Sequence, residues 1–520
     1  MADTLSEKPQ QPQQQPSPPS TATTATTATT NPPSSSPTSI RILTLNCWGL
    51  KYIAKLRHER LTEIGRRLAI ATPPPEIVGL QECWTQADYE SIRQQTRHIL
   101  PHGKFYHGGI WGAGLAILSR WPIEESSMVG YPLNGRPTAF FRGDWYVGKG
   151  VACARVRVGA APQEVAEVFC THLHAPYERE PNDSYICHRT AQAWEIAKLM
   201  RGAAERGHLV IGLGDFNMLP SSFAHRLIQA HSPVRDVWQV LHPDSSLGAA
   251  IDPVEQARGK PVPSARFNVT ENGATCDGRF NTWRWSKEDQ KRLLKKGEEI
   301  EVDPEAPCPR GKRLDYIFVG DGSGGGSGGG LRSPSVPQWT VKSVQLSMME
   351  RHPTLRCSLS DHFAVEAVIT REEAQDQSAK LEAEGSSAAA AATAADGSSL
   401  APNTTLEPET YDRIIEMIDK YVQRERSQRR WRLAHFVASV FVSIGCMVGV
   451  WWTGDHLPYV AFILLFVSTL NFGAGILDGL IGGLFMSSEL RALKEFEWEV
   501  RNAKQIAEAA AAAGTSKRMG

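Results

Sequence analysis

The sequence predicts an α+β domain of alternating strands and helices, followed by a hairpin of two membrane-spanning helices. Between residues 39 and 370, apolar runs of strand length alternate with amphipathic helical stretches. Small polar or charged side chains close several of these apolar runs. Near the C-terminus, residues 433–452 and 457–486 each supply the roughly 20 apolar residues that cross a bilayer.

The composition argues against several classes of protein. Lysine plus arginine and aspartate plus glutamate both number 56, so no overall basic field indicates a nucleic-acid partner. The nine cysteines form no CxxC pair, which argues against a zinc ribbon or a disulfide scaffold and fits a reducing compartment. Residues 1–38 are rich in Pro, Gln, Ser and Thr, and we predict that they are disordered.

The first two predicted strands, Ile40–Leu45 and Ile77–Leu80, lead into Asn46 and Glu82. A helix over residues 57–69 separates them. A glutamate that closes a buried apolar run is destabilising unless it is paired or binds a cation. Carboxylate and amide oxygens are ligands that magnesium prefers, so these positions indicate a metal site. A solvated loop carboxylate is the alternative.

A strand follows a glycine loop at residues 112–122, and a segment at 142–150 looks at first like a nucleotide-binding loop. Gly143 to Lys149 match the G-x-x-x-x-G-K pattern, but Gly150 replaces the Ser or Thr that would hold magnesium. No strand, loop and helix are predicted around it. We therefore reject a nucleotide-binding loop here.

Two further strand ends carry pairs of polar residues at i and i+2, which project to the same side of an extended chain. His172 and His174 follow the strand Val165–Cys170, and Asp215 and Asn217 follow an apolar run that begins at Leu209. A carboxylate beside an amide suits chemistry on a phosphate or a metal-bound water. Ordinary hydrogen-bonded histidines and an Asx turn are the alternatives. A helix over 186–206 connects the two strands.

The last strands of the domain supply a candidate general base. Asp315 begins a strand, and Asp361 and His362 precede the strand 364–369. Histidine titrates near neutrality, and a carboxylate can orient it. The polar segment between 225 and 310 contains Trp283 and Trp285, which are either core residues or a lipid-facing edge. The catalytic domain is thus expected to span residues 39–370.

The C-terminal part is predicted to be a membrane anchor. A linker (371–408) leads to an amphipathic helix (409–432), a transmembrane hairpin (433–490) and a cytosolic tail (491–520). Arginines before the first apolar run place both hairpin ends in the cytosol and can bind anionic headgroups. A buried pair of core helices is the alternative to a hairpin. The arginines are Arg424, Arg426, Arg429, Arg430 and Arg432.

Glycines at Gly475, Gly479 and Gly483 form a G-x-x-x-G-x-x-x-G series in the second apolar run. Such a series is typical of a helix-packing face, so self-association through it is one expectation. Packing of the small residues within the hairpin is the other.

Seven segments occur in an order that resembles the endonuclease/exonuclease/phosphatase superfamily, which has a deoxyribonuclease I-like fold. They span residues 40–370 and read LNCWGL, VGLQECW, GLAILSRWPI, THLHAPY, GLGDFN, LDYIF and SDHFAV. The resemblance implies a four-layer α/β-sandwich, in which helices flank two packed mixed sheets. THLHA, RGDWYVGKG, TCDGRFNTWR and the hairpin resemble more closely the neutral sphingomyelinases and the fungal inositol phosphosphingolipid phospholipases C.

The resemblance implies a magnesium-dependent phosphodiesterase that releases ceramide and a phosphorylated headgroup from a membrane sphingolipid, with anionic phospholipids as activators. Glu82 with Asn46 would hold Mg²⁺. His362, oriented by Asp315, would take the proton of the attacking water. Asp361 would support the site.

The remaining residues would act on the phosphate or on activity. Asp215 and Asn217 would position the water and the phosphoryl oxygens, and His172 would donate to the transition-state oxygens. In the family, an Asp and a Lys of the loop-like segment control activity, and these correspond to Asp144 and Lys149.

Three other functions compete with this hypothesis. A nuclease of the superfamily should show a basic groove and does not need a hairpin. An inositol polyphosphate phosphatase would release free phosphate, and a catalytically dead membrane scaffold would not need the full set of acid, base and metal candidates. For the enzyme, we expect an integral membrane protein of the endoplasmic reticulum or the mitochondrial outer membrane, with its catalytic domain facing the cytosol.

Overall fold

The computed structural model describes residues 36–178, 182–322, 338–372, 406–454 and 457–519. Most of the predicted disordered N-terminus, the glycine-rich insertion at 320–330 and the linker at 371–408 lie outside these ranges, as does part of the loop at 453–456.

Within these ranges, twelve strands form two six-stranded mixed sheets. In chain order they are β1 (Ser39–Asn46), β2 (Ile77–Gln81), β3 (His102–Tyr106), β4 (Leu115–Ser119), β5 (Ile123–Gly130), β6 (Gly150–Arg157), β7 (Val165–His172), β8 (Leu209–Asp215), β9 (Arg235–Asp236), β10 (Asp315–Gly320), β11 (Gln338–Ser347) and β12 (Ala364–Glu372). The first sheet has the order β11-β12-β1-β2-β4-β3, and the second has the order β5-β6-β7-β8-β10-β9.

The two sheets pack face to face over a shared apolar core. Ile42 and Ile117 of the first sheet belong to the same buried cluster as Val168, Ile211 and Leu213 of the second. The central strands are apolar on both faces because helices cover the outer side of each sheet.

Eight helices belong to the domain before residue 370 among the described residues. They are α1 (Arg57–Ile70), α2 (Gln86–Thr96), α3 (Ile186–Glu205), α4 (Phe223–His231), α5 (Val237–Leu241), α6 (Pro253–Gln256), α7 (Ala265–Thr270) and α8 (Lys287–Lys291). Helices α1 and α2 cover the first sheet, and α3 and α4 cover the second. The four-layer sandwich that the resemblance implied is confirmed.

Several elements were not predicted individually, among them α2 and the edge strands β3, β5 and β11. The exposed pattern of β5 explains its omission, because only partly buried and exposed residues occur along it. Helix α2 begins at a cap that the sequence contains, since the Thr85 hydroxyl accepts from the Asp88 amide at 3.1 Å.

Three long helices follow: α9 (Pro408–Gly449), α10 (Pro458–Leu480) and α11 (Met486–Met519), with a short π-helical segment at Ile481–Phe485 between the last two. The amphipathic segment and the first apolar run are therefore one continuous helix. Among the described residues, two helical stretches, Pro408–Trp452 and Pro458–Ala509, are long and apolar enough to cross a membrane, and only 11% of the most apolar part of each is buried.

The glycine face of α10 packs against α9. A Cβ on Gly475 would overlap the Ser439 side chain, and one on Gly479 would lie 3.0 Å from the Phe436 ring. The described chain thus uses these two glycines within the hairpin. Gly483 lies farther from its neighbour, with Leu433 at 4.0 Å.

The first half of α9 docks on the domain before residue 370. Ile414 and Ile418 are fully buried in the apolar cluster that also contains Trp194 of α3 and Phe496 of α11. Full burial of a side chain of this size contributes about 1.5–3 kcal/mol. A hydrogen bond of 3.0 Å from the Trp194 indole to Glu499 adds a polar contact to α11. These contacts join the domain before residue 370 directly to the C-terminal helices.

Two carboxyl groups are buried in this docked interface: Glu425 on the part of α9 that precedes the apolar run, and Glu489 in the first turn of α11. Glu425 is fully buried, and burial together with the nearby Glu489 raises its pKa to about 8. Arg136 and Arg432 oppose this shift only in part. Tyr421 donates a hydrogen bond of 2.8 Å to Glu489.

The docked interface should lose stability as the pH rises. Because the pKa of Glu425 lies above its ordinary value of 4.5, stability should fall between about pH 4.5 and pH 8 and level off above. Glu425→Gln should flatten this fall and raise the thermal midpoint at pH 8, followed by tryptophan fluorescence of the full chain in detergent. Glu416→Gln, at an exposed position of the same helix, is the control. An identical pH profile for the wild type and Glu425→Gln would contradict the assignment.

Candidate active site

The strand topology brings five of the predicted residues to one edge of the sandwich. Asn46 ends β1 and Glu82 follows β2, its parallel neighbour. Asp215 ends β8 and is paired with Asp315 at the start of the antiparallel strand β10. His362 precedes β12, which pairs with β1. Neighbouring strands thus turn at this edge and place their end residues together.

His362 and Asp315 form a buried hydrogen-bonded pair, with 2.7 Å between Nδ1 and Oδ2. Asp315 is fully buried and His362 nearly so. Burial opposes protonation of the imidazole, but the Asp315 carboxylate together with Cys276 and Asp215 outweighs this, and the pKa of His362 is raised well above its ordinary value. This hydrogen bond occupies Nδ1, and the other ring nitrogen, Nε2, takes no part in it.

Asp215 lies between the two sheets. Its Oδ2 accepts from the Asn46 side-chain amide at 3.0 Å, and its Oδ1 accepts from the Asn217 backbone N–H at 2.9 Å. Burial and the charge of Asp315 raise its pKa to about 7. The Asn217 side chain donates to the carbonyl of Leu173 at 3.1 Å, and the backbone contact with Asp215 is that of the Asx turn considered as the alternative.

Glu82 has a carboxylate oxygen that could bind a cation. The Asn46 amide donates to Oε1 at 3.2 Å, whereas Oε2 is buried without a hydrogen-bond partner among the described residues. Burial and the nearby Asp361 raise the pKa of Glu82, and a bound cation would reverse this shift. A buried, unpartnered carboxylate oxygen beside other oxygen donors fits magnesium.

A second group of possible ligands lies beside it. Ligand atoms of Asp215, Asp315 and His362 lie within 4.8 Å of one another. In this group, however, Asp315 and His362 are already hydrogen-bonded to each other at 2.7 Å. A hard cation also prefers oxygen to imidazole nitrogen, so the unpartnered oxygen of Glu82 fits it better.

His172 and Lys149 line the same edge. The ring Nε2 of His172 lies 3.5 Å from Oδ2 of Asp215. The Lys149 ammonium donates to the carbonyls of His172 and Leu173 at 3.3 and 3.2 Å. Burial and the charges of Lys149 and His362 hold the pKa of His172 well below its ordinary value, so its ring is neutral at neutral pH.

Asp144 faces the second histidine of the predicted pair. Its Oδ1 lies 3.7 Å from Nδ1 of the fully buried His174, whose Nε2 accepts from the Gly135 backbone N–H at 2.8 Å. The segment around Asp144 forms two short 3-10 turns and leads into strand β6, not into a helix. This geometry agrees with the rejection of a nucleotide-binding loop.

Asp361 is adjacent to His362 but pairs with Arg284 at 3.4 Å. Sequence reasoning did not assign a role to Arg284 or to Asp277, which lies 2.9 Å from the same guanidinium. Asn281 supports this region by donating to the carbonyl of Ser360 at 3.0 Å. The segment TCDGRFNTWR contained these residues, but only its resemblance marked it.

The arginine cluster of α9 is divided between internal contacts and solvent. Arg432 pairs with Asp478 of α10, and Arg429 donates to a backbone carbonyl of the π-helical segment at 3.1 Å. Arg424 is partly buried beside the Tyr421 ring. Arg426 and Arg430 are exposed, so these two are the most accessible to headgroups.

A sandwich of this topology with carboxylate, amide and imidazole groups at one edge suits metal-assisted cleavage of a phosphate ester. The sequence profile described as the Endonuclease/Exonuclease/phosphatase family matches residues 43–362. The chain therefore belongs to this family.

The names of similar proteins indicate a narrower group within this family. The chain is 36% identical over 474 residues to the inositol phosphosphingolipids phospholipase C of Schizosaccharomyces pombe, covering 90% of this chain and 95% of that protein. The protein of the same name in Saccharomyces cerevisiae is 31% identical, with 91% of each chain covered. Sphingomyelin phosphodiesterase 2 of Homo sapiens is 33% identical over 199 residues, or 38% of this chain and 46% of that protein. The resemblance to these two groups is confirmed.

The electrostatic role of Asp315 can be measured directly. Asp315→Asn should lower the pKa of His362, because the carboxylate that favours the imidazolium is removed. Histidine titration by NMR of the full chain with ¹³C-labelled histidine would report the shift. Asp361→Asn is the control, since that carboxylate pairs with Arg284. An unchanged pKa in Asp315→Asn would contradict the pairing.

Proposed function

We propose that this chain is a membrane-anchored, magnesium-dependent phospholipase C-type hydrolase of sphingolipids. Its substrate would be an inositol phosphosphingolipid or sphingomyelin, and its products ceramide and a phosphorylated headgroup. The observation that carries the chemistry is the buried His362–Asp315 pair beside Asp215 and Asn46. The names of the relatives support the class of substrate.

In this proposal His362 is the general base. Asp315 fixes Nδ1, so Nε2 accepts the proton of the attacking water. The carboxylate also stabilises the imidazolium that forms and is one cause of the raised pKa of His362, so the ring has to lose this proton before it can act as the base. Asp361 restrains the loop before β12 through its contact with Arg284.

Other side chains would act on the water and the phosphoryl group. Asp215, held by Asn46 and by the Asn217 backbone, orients the water and the phosphoryl oxygens. His172 is neutral, so it donates a hydrogen bond to the developing charge without carrying its own. Asp144 and Lys149 control activity in this proposal, and the contact of Lys149 with the His172 carbonyl offers a physical route.

Glu82 and Asn46 would hold Mg²⁺ in this proposal, with Oε2 of Glu82 as the available ligand. The bound ion would neutralise negative charge on the phosphodiester.

The two apolar helices support the proposal of an integral membrane protein. In this proposal both hairpin ends and the catalytic domain lie in the cytosol. Exposed Arg426 and Arg430 would bind anionic phospholipids, which we propose as activators. The endoplasmic reticulum and the mitochondrial outer membrane are the proposed locations.

The role of His362 is tested by His362→Ala. Ceramide release from sphingolipid vesicles should fall by about 10²–10⁴-fold, as expected for the loss of a general base. Co-flotation of the protein with the vesicles should not change, because the anchor is intact. His98→Ala, at an exposed position beyond the end of α2, is the control and should keep full activity. Near-normal ceramide release by His362→Ala would overturn the role.

The substrate class is tested by offering both sphingolipids. Purified protein with Mg²⁺ and anionic vesicles should release ceramide from inositol phosphosphingolipid, sphingomyelin or both, and release should stop when a chelator removes the metal. Release of free phosphate from inositol polyphosphates, or cleavage of DNA, without ceramide production would contradict the proposal.

A further inference from the structure

Four large apolar side chains are exposed on two neighbouring loops of the catalytic domain. Ile110 and Trp111 lie between β3 and β4 and are 69% and 57% exposed. Phe140 and Phe141 lie in the 3-10 segment Pro137–Arg142 and are 42% and 75% exposed. An apolar group of this size on a domain surface indicates a binding surface, whereas single exposed apolar residues do not.

The two loops are tied together and hold a fixed arrangement. The backbone N–H groups of Ile110 and Trp111 both donate to the Tyr146 carbonyl, at 3.0 and 3.1 Å. The Trp111 and Tyr146 rings lie 4.8 Å apart. Gly143, at a positive φ of 84°, allows a close approach of Trp111, because an added Cβ would lie 3.0 Å from its ring.

The same surface is continuous with the helical hairpin. Trp145 packs against Phe485, with ring centroids 4.4 Å apart. Phe485 ends the π-helical segment that follows α10, at the end of the hairpin from which α11 emerges. The exposed loops therefore lie next to the point where the second apolar segment leaves the bilayer in the proposed topology.

The surface also borders the candidate active site. The segment that carries Phe140 and Phe141 continues through Asp144 to Lys149, whose ammonium contacts the His172 carbonyl. Location between the hairpin and the site favours a lipid occupant over a second copy of the chain.

We propose that Ile110, Trp111, Phe140 and Phe141 form a lipid-docking surface, which enters the boundary between headgroups and acyl chains and holds the site edge against the bilayer. Aromatic and branched side chains suit this boundary, because apolar area is buried there without crossing the membrane. The inference rests on the proposed membrane anchoring and adds a second contact, made by the catalytic domain itself.

The contact can be measured without catalysis. In the full chain in vesicles, Phe141→Cys labelled with an environment-sensitive fluorophore should shift its emission to the blue and be quenched by lipids with brominated acyl chains. Ile70→Cys is the matched control, because Ile70 is 56% exposed at the end of α1, away from the edge where β1 ends. Unsubstituted protein, in which seven of nine cysteines are buried, gives the labelling background.

Equal quenching at positions 141 and 70 would overturn the proposal. It would also be overturned if the blue shift depended on the protein-to-lipid ratio and not on brominated lipid, since that result indicates a second protein copy on the surface. Both readouts are independent of turnover, so they remain decisive if the protein releases no ceramide.

A second variant links the surface to activity. Phe140→Ser combined with Phe141→Ser should lower the ratio of ceramide release from vesicles to release from detergent micelles by about tenfold, because only the bilayer offers an interface to dock on. Ile70→Ser should leave the ratio unchanged. An unchanged ratio in the double variant, with wild-type activity present, would contradict a role of the surface in substrate access.

Discussion

The burial of opposed carboxyl groups at one edge of the sandwich is the constraint on which the site depends. Asp215 and Asp315 are paired across β8 and β10, and both are nearly inaccessible. Two carboxylates so placed destabilise the fold unless donors surround them. The donors come from Asn46 of the first sheet and His362 before β12. The second sheet thus requires the first in a fixed register, and the charge arrangement and the face-to-face packing support each other.

The sequence predicted most of this edge because each site residue follows or precedes an apolar run. Asn46, Glu82, Asp215, Asp315 and His362 could be placed from strand ends alone, and the ordered motifs then supplied the sandwich. Contacts that depend on the third dimension could not be predicted this way. Examples are the pairing of Asp361 with Arg284 and the position of Asp144 near His174, since both join segments far apart in the sequence.

The docking of α9 shows a second limit of structure prediction from sequence patterns. An apolar stripe at helical spacing indicates that a partner exists, and the stripe from Ile414 to Ile418 is equally compatible with lipid, with another chain or with the same chain. In the structure the partner is α3, and α11 completes the same cluster. Since α9 then continues without interruption into the first apolar segment, the contact with α3 restricts how the catalytic domain can be oriented relative to the hairpin.

The segment from Asn134 to Lys149 is shaped by contacts at both of its ends more than by its own sequence. At its two ends, the Gly135 N–H donates to His174 and the Lys149 ammonium donates to the carbonyls of His172 and Leu173. Between these ends, Trp145 packs on Phe485. Two short 3-10 turns with glycine at positive φ have little intrinsic stability, so these distant contacts fix the conformation. This loop therefore contacts both the hairpin and the edge where phosphate chemistry is proposed, and its glycines are explained by close packing and not by nucleotide binding.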